Sequence, residues 1–229
     1  MDMTRPDHHL TQGLLMAYSA GTLPEAFNLA VATHLSMCDD CRAEVEGYDV
    51  LGGALLEHGA AEDDPAAMDE GSLAATLDRI RSAPATAASS DPAAAEAREG
   101  TGASDLPAPL AAYIGGSLAD VRWRPVGMGV KQAILPTSRE ASARLLLIPA
   151  GTAMPDHGHH GTELTLVLRG AFLDGGARFG PGDVEIATEA LEHTPVADIG
   201  EDCICLAVAD GKLRFRGLLP RLLQPLLRI

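Results

Sequence analysis

Aromatic side chains make up only 3% of this 229-residue chain, and cations are outnumbered, with 17 Lys and Arg against 32 Asp and Glu. The first shortage removes the stacked rings on which single-stranded nucleic acid is held. The second, a net charge of −15, removes the cationic excess that neutralises phosphates, so direct binding to nucleic acid is excluded as a function class. No apolar run approaches the roughly 18 residues that cross a bilayer. The start, Met1-Asp2-Met3-Thr4-Arg5-Pro6, has neither the basic nor the apolar segment of a signal peptide. A cytoplasmic chain without a membrane anchor is the expectation. No GxSxG elbow, Walker loop or Ser/His/Asp arrangement points to a catalytic class.

A hydrophobic content of 46% is enough to build a core, in one large or two small domains. The negative charge is uneven. Residues 1–70 hold 14 acidic and 2 basic side chains, so one end is an acidic module whose natural partner is a basic protein surface. From Pro84 to Pro107 the chain is rich in Ala, Ser, Pro and Gly and poor in residues to bury, the composition of a solvated linker. The expected division is residues 1–83, a linker over 84–106, and residues 107–229.

Ahead of the linker the apolar period is helical. Leu10, Leu14, Leu15 and Tyr18 define one helix, stopped by Gly21. Thr22-Leu23-Pro24-Glu25 has capping-box spacing before a helix carrying Phe27, Ala30, Val31, His34, Leu35 and Cys38. A third runs from Asp39 or Asp40 towards Leu56, and a fourth from Ser72 to Ile80 after the acidic turn Glu62–Pro65. Such a bundle is too small to be stable on burial alone. Beyond the linker come short strands at Val121–Val126, Lys131–Leu135, Arg144–Pro149, Glu163–Arg169, Val184–Ala187 and Cys203–Val208, an all-β pattern. The tail Gly217–Ile229 reads as a terminal strand or a docking segment. The fold class is therefore α+β as separate domains, a small helical bundle followed by an all-β barrel.

The four cysteines form two close pairs, which in a reducing compartment point to metal or redox chemistry. His34-x3-Cys38-x2-Cys41 offers one imidazole and two thiolates, three of the four ligands that tetrahedral zinc prefers, with His8 or His9 upstream to complete it. Zinc there would contribute about 10 kcal/mol or more to folding. The motif, with His8-His9, Tyr18–Leu23 and Ala32–Leu35, closely resembles the zinc-binding anti-sigma domain of the ChrR-type anti-sigma factors. The resemblance implies that His9 is the fourth ligand and that the helices clamp an extracytoplasmic-function (ECF) sigma factor.

In the β half, Gly151-x5-His157-x-His159-x3-Glu163-x6-Gly170 matches the first cupin motif at every specified position. Residues two apart on a strand share a face, so His157 and His159 point together, and Glu163 returns on the next strand. His193 supplies the third imidazole, although it follows Gly180-Pro181-Gly182-Asp183 at a longer interval than the cupin family's usual one. Such a set accepts Zn, Fe, Mn, Ni or Cu; the ChrR-type resemblance favours zinc. With Glu163, Thr165 and Val167 facing the metal, Leu164, Leu166 and Leu168 need a cover from a second sheet, the tail or the helices. Cys203 and Cys205 read either as small hydrophobes of the barrel wall or as an oxidant-responsive pair.

The resemblance implies a non-enzymatic regulator in which the cupin domain senses a stress such as singlet oxygen and triggers release of the sigma factor. It leaves self-association through the cupin domain open. The alternative is a metal-dependent cupin enzyme, of dioxygenase or isomerase type, fused to a zinc-binding bundle; that reading requires a vacant metal position and a substrate pocket. A third is a scaffold with no sensing role.

Overall fold

A computed structural model describes residues 5–59, 69, 71–82, 105–189, 192–211 and 213–215, with backbone only at 159 and 213–215. The acidic turn at 62–65, the linker over 84–104 and the apolar tail lie outside the described residues. What is described falls into two compact units, one joining the chain up to Val50 with that from Ser104 onward, the other running from Leu51 to Ala103. Among the described residues no helix is long and apolar enough to cross a membrane.

Helices come first. Helix α1 (Gln12–Ser19) starts at Thr11, whose side chain accepts from the Leu14 amide. It ends where Gly21, at φ +66°, lets the amides of Gly21 and Thr22 reach back to the carbonyls of Tyr18 and Ala17. Helix α2 (Glu25–Leu35) does not form the expected capping box. Pro24 occupies the cap position, and the Thr22 hydroxyl donates to Ala17 O instead. Glu25 faces the β half, its carboxylate accepting from the Ser138 amide at 2.6 Å and the Tyr113 hydroxyl at 2.9 Å. Helix α3 spans Asp39–Gly59. Helix α4 (Ser72–Ser82), in the second unit, buries none of its side chains. Helix α5 (Ala108–Ile114), unforeseen because seven residues give too little period to read, closes at Gly115 in the left-handed conformation.

The β half is a cupin-like barrel. Strands β1 (Arg124–Gly127), β2 (Val130–Leu135), β3 (Ser142–Ile148), β11 (Cys203–Ala209), β5 (Glu163–Arg169) and β8 (Val184–Ala187) form one antiparallel sheet in that spatial order. Two three-stranded sheets complete the described strands: β10 (Val196–Ala197), β6 (Phe172–Asp174) and β7 (Ala177–Phe179), then β12 (Leu213–Phe215), β4 (His157–His159) and β9 (Glu192–His193). The six long strands agree with the sequence reading to within a few residues. The two- and three-residue strands had no legible period.

Both faces of the large sheet are dry. Inward, Val130, Ile148, Val167, Phe172, Phe179, Cys203 and Cys205 make one core. Outward, Leu145, Leu164, Leu166, Leu206 and Val208 share a second core with Leu15, Phe27, Ala30 and Val31 of α1 and α2 and Leu110 of α5. The helices are thus the cover that the leucines of β5 required. Leu164 and Leu166 are fully buried, Leu168 half-buried. Sealing a leucine in this way is worth about 2 kcal/mol relative to leaving it wet. Leu166→Ala is therefore expected to cost about 2–5 kcal/mol. Because this core is shared, helical and sheet signals should be lost in one coincident transition, as urea unfolding followed by far- and near-ultraviolet dichroism would show.

Candidate metal centres

The first centre lies where α2 hands over to α3. Helix α2 stops at Leu35, so Cys38 is not on the helix of His34, as its four-residue spacing suggested. The chain turns instead through Ser36 and Met37, the Met37 amide donating to His34 O, and Cys38 precedes α3 with its carbonyl accepting from the Arg42 amide. Cys41 is in the first turn of α3, so both sulfurs sit at the start of that helix. His9 Nδ1 is 3.3 Å from Cys38 Sγ and 3.5 Å from Cys41 Sγ. One ligand atom from each of His9, His34, Cys38 and Cys41 fits within 4.8 Å of the others. His8 turns away, its ring against Phe179 at 4.2 Å.

The polar accounting at this centre asks for a cation. His34 is buried; its Nδ1 is held by Gly182 O at 2.8 Å, and its Nε2 has no hydrogen-bond partner. Burial pushes this imidazole below its ordinary pKa, so the ring stays neutral and Nε2 keeps its lone pair. Burial, helped by the neighbouring Cys38, pushes the Cys41 thiol up to about 11. A divalent ion among these four ligands satisfies the orphaned nitrogen and neutralises two thiolates. The residues present are compatible with zinc.

The second centre lies inside the barrel. His157 on β4 faces His193 on β9 in register, their ring centroids 4.6 Å apart. Both line a cavity of about 50 Å³ together with Glu163, Thr165, Glu185 and Cys205. His157 Nδ1 donates to Pro155 O at 2.8 Å, and His193 Nδ1 lies 2.7 Å from Asp174 Oδ2. Each contact turns the ring's Nε2 into its lone-pair side, the tautomer a metal requires. Imidazole and carboxylate donors of this kind suit a divalent transition metal. His159 is on the same strand at the register position opposite Leu213.

A match to the family described as the ChrR Cupin-like domain covers residues 113–214. The anti-sigma-E factor ChrR of Cereibacter sphaeroides is 57% identical over 225 residues, which is 97% of this chain and 98% of that protein. The chain belongs to the ChrR family of anti-sigma factors. A crystal structure of Rhodobacter sphaeroides SigE in complex with the anti-sigma ChrR superposes with a TM-score of 0.72 at 54% identity, covering 88% of this chain and 98% of that one. Membership of the ChrR family makes the chain a regulator rather than an enzyme.

Two residues of the ChrR-type barrel escaped the sequence reading. Asp174 and Glu185 cluster with His193, one oxygen of each lying within 4.8 Å of a ring nitrogen. Burial and the neighbouring Asp174 push the Glu185 carboxyl up to about 9, so it is protonated at neutral pH. Asp174 precedes Gly175-Gly176 and reads locally as a turn residue; Glu185 was legible only as the inward member of a short strand.

At the first centre the sign of the proton balance is fixed. A Cys41 thiol at about 11 is protonated at neutral pH, so an ion that binds thiolate must displace protons. Adding zinc to the metal-free chain should release the Cys41 proton as the ion is taken up at this centre, and affinity should fall on acidification. An indicator dye in weak buffer measures the release, which Cys38→Ser with Cys41→Ser should abolish.

Proposed function

We propose that this chain is a cytoplasmic anti-sigma factor that sequesters an ECF sigma factor through a zinc-holding N-terminal domain. On this reading residues 1–83 are the sigma-binding part, 84–106 the linker and 107–229 the cupin domain. Zinc is held by His9, His34, Cys38 and Cys41. Zinc or another divalent transition metal is held in the barrel by His157, His159, Glu163 and His193. The barrel is the input, and oxidative stress such as singlet oxygen leads to release of the sigma factor.

The observation that carries this reading is the closed Cys/His cluster in a chain 57% identical to an anti-sigma-E factor. A relative crystallised in complex with SigE supports the choice of partner. Unsatisfied apolar surface supports it as well. Val50, Leu51, Leu55 and Leu56 on α3 are exposed, and on α4 so are Leu73, Leu77 and Ile80 at 3- and 4-residue spacing. Apolar stripes of this kind suit a partner that brings its own apolar patch, and the acidic α3 favours a basic rim around it.

Release requires that the signal change the free energy of the sigma-bound state relative to the free one. A buried imidazole and carboxylate set beside Cys205 provides donors whose bonding alters when they or their ion are oxidised.

The test of sequestration is co-purification of the full chain with candidate ECF sigma factors. The pair should stay together while metal is bound and separate after exhaustive chelation. A metal-free chain that retains its partner with undiminished affinity overturns the role given to zinc. The test of sensing is a sigma-dependent reporter in cells exposed to a singlet-oxygen photosensitiser. His157→Ala with His193→Ala should leave the reporter repressed, whereas the parent chain releases it; full induction in the variant overturns the barrel's role.

A further inference from the structure

The turn that opens β8, Gly180-Pro181-Gly182-Asp183, is tied to the barrel by the Gly182 amide on Val167 O and by Asp183 Oδ2 accepting from the Gly180 amide at 2.7 Å, yet Gly182 O and Asp183 Oδ1 are directed at the N-terminal centre. Gly182 O accepts from His34 Nδ1 at 2.8 Å. Asp183, buried, accepts through Oδ1 from the amides of Asp7 at 2.7 Å and His8 at 2.9 Å. The Val184 amide donates to His8 O at 3.2 Å. The approach is close enough that a Cβ on Gly182, itself at φ +90°, would meet Pro6 Cγ at 2.7 Å. Residues 5–9 belong to no helix or strand. These contacts and the ion pair of Arg5 with Asp40 set where His9 lies.

We propose that Gly182 and Asp183 are positioning residues of the Cys/His centre: the barrel holds the two imidazoles, one through a carbonyl and the other through the two residues before it. The inference rests on the reading that His9, His34, Cys38 and Cys41 bind zinc. An acceptor on the distal nitrogen fixes a ligand imidazole's tautomer and direction, and removal of such a partner typically weakens metal binding about 10–100-fold. The same strand carries Glu185, two residues past Asp183, into the barrel cavity. One rigid element therefore touches both centres, and a shift of β8 in the barrel reaches His34 and His9. Linkage makes the coupling reciprocal.

Zinc affinity of the full-length chain, measured by competition with a chromophoric chelator, tests the proposal. Asp183→Ala should bind zinc at the Cys/His centre about 10–100-fold more weakly than the parent. Val130→Ala, which loosens the barrel interior away from the turn, should stay within about threefold. Amide exchange supplies the second readout: Asp7 and His8 should be protected in the zinc-loaded parent and lose that protection on chelation. Equal affinity in Asp183→Ala and the parent overturns the proposal, as does an equal loss in Val130→Ala, which would mark general destabilisation. A parent chain that takes up no zinc at Cys38 and Cys41 overturns the zinc reading itself and the proposal with it.

Discussion

A barrel wall with apolar side chains on both faces cannot be closed by the barrel alone. Strands β3, β5 and β11 send Ile148, Val167, Cys203 and Cys205 inward and Leu145, Leu164, Leu166, Leu206 and Val208 outward. The inner set is dried by the opposing sheet. The outer set would stay wet without α1, α2 and α5, and at about 25 cal/mol per Å² an uncovered face of that size costs several kcal/mol. Everything else in the described fold follows from this second burial. It brings the N-terminal helices against the sheet, aims α2 so that Glu25 meets Ser138 and Tyr113, and leaves His34 under the turn at Gly182.

The burial that stabilises the fold also sets the chemistry of both centres. Sealing His34 beneath the sheet leaves Nε2 without a hydrogen-bond partner and lowers its basicity, while burial holds the Cys41 thiol protonated until a cation arrives. Inside the barrel the same effect protonates Glu185 beside Asp174, while Asp174 orients His193. Polar groups withdrawn from water are costly unless partnered. At the Cys/His centre the partners supplied by the chain leave His34 Nε2 unmet, and the four side chains there are compatible with zinc.

Much of this was legible in the residues. Helix α1, with its stop at Gly21, follows from local rules, and so does the stretch Glu163–Arg169, found as a strand over the same residues. The alternation of Leu164 and Leu166 with Thr165 and Val167 even announced that a cover was needed. Other local rules failed where a distant partner outbid them. Glu25 had the spacing of a capping box but faces Ser138, 113 positions along the chain. Cys38 had the spacing of a helical neighbour of His34 but lies beyond the end of α2. Helix α5 and the shortest strands carry too few residues for any period to show.

What the sequence determined by itself is the inventory and the local spacing of donors: His34, Cys38 and Cys41 within eight positions, and His157, His159 and Glu163 within seven. The first set converges at the turn between α2 and α3, and His157 and Glu163 of the second line one cavity. Tertiary structure places His9 against the thiols, as the resemblance implied, and alone decided that Asp174 and Glu185 stand beside His193 and that Gly182 and Asp183 reach across to the N-terminal segment. These pairings span from 8 to 176 positions. They exist because burying two apolar faces at once forces distant segments together, a constraint that no local spacing records.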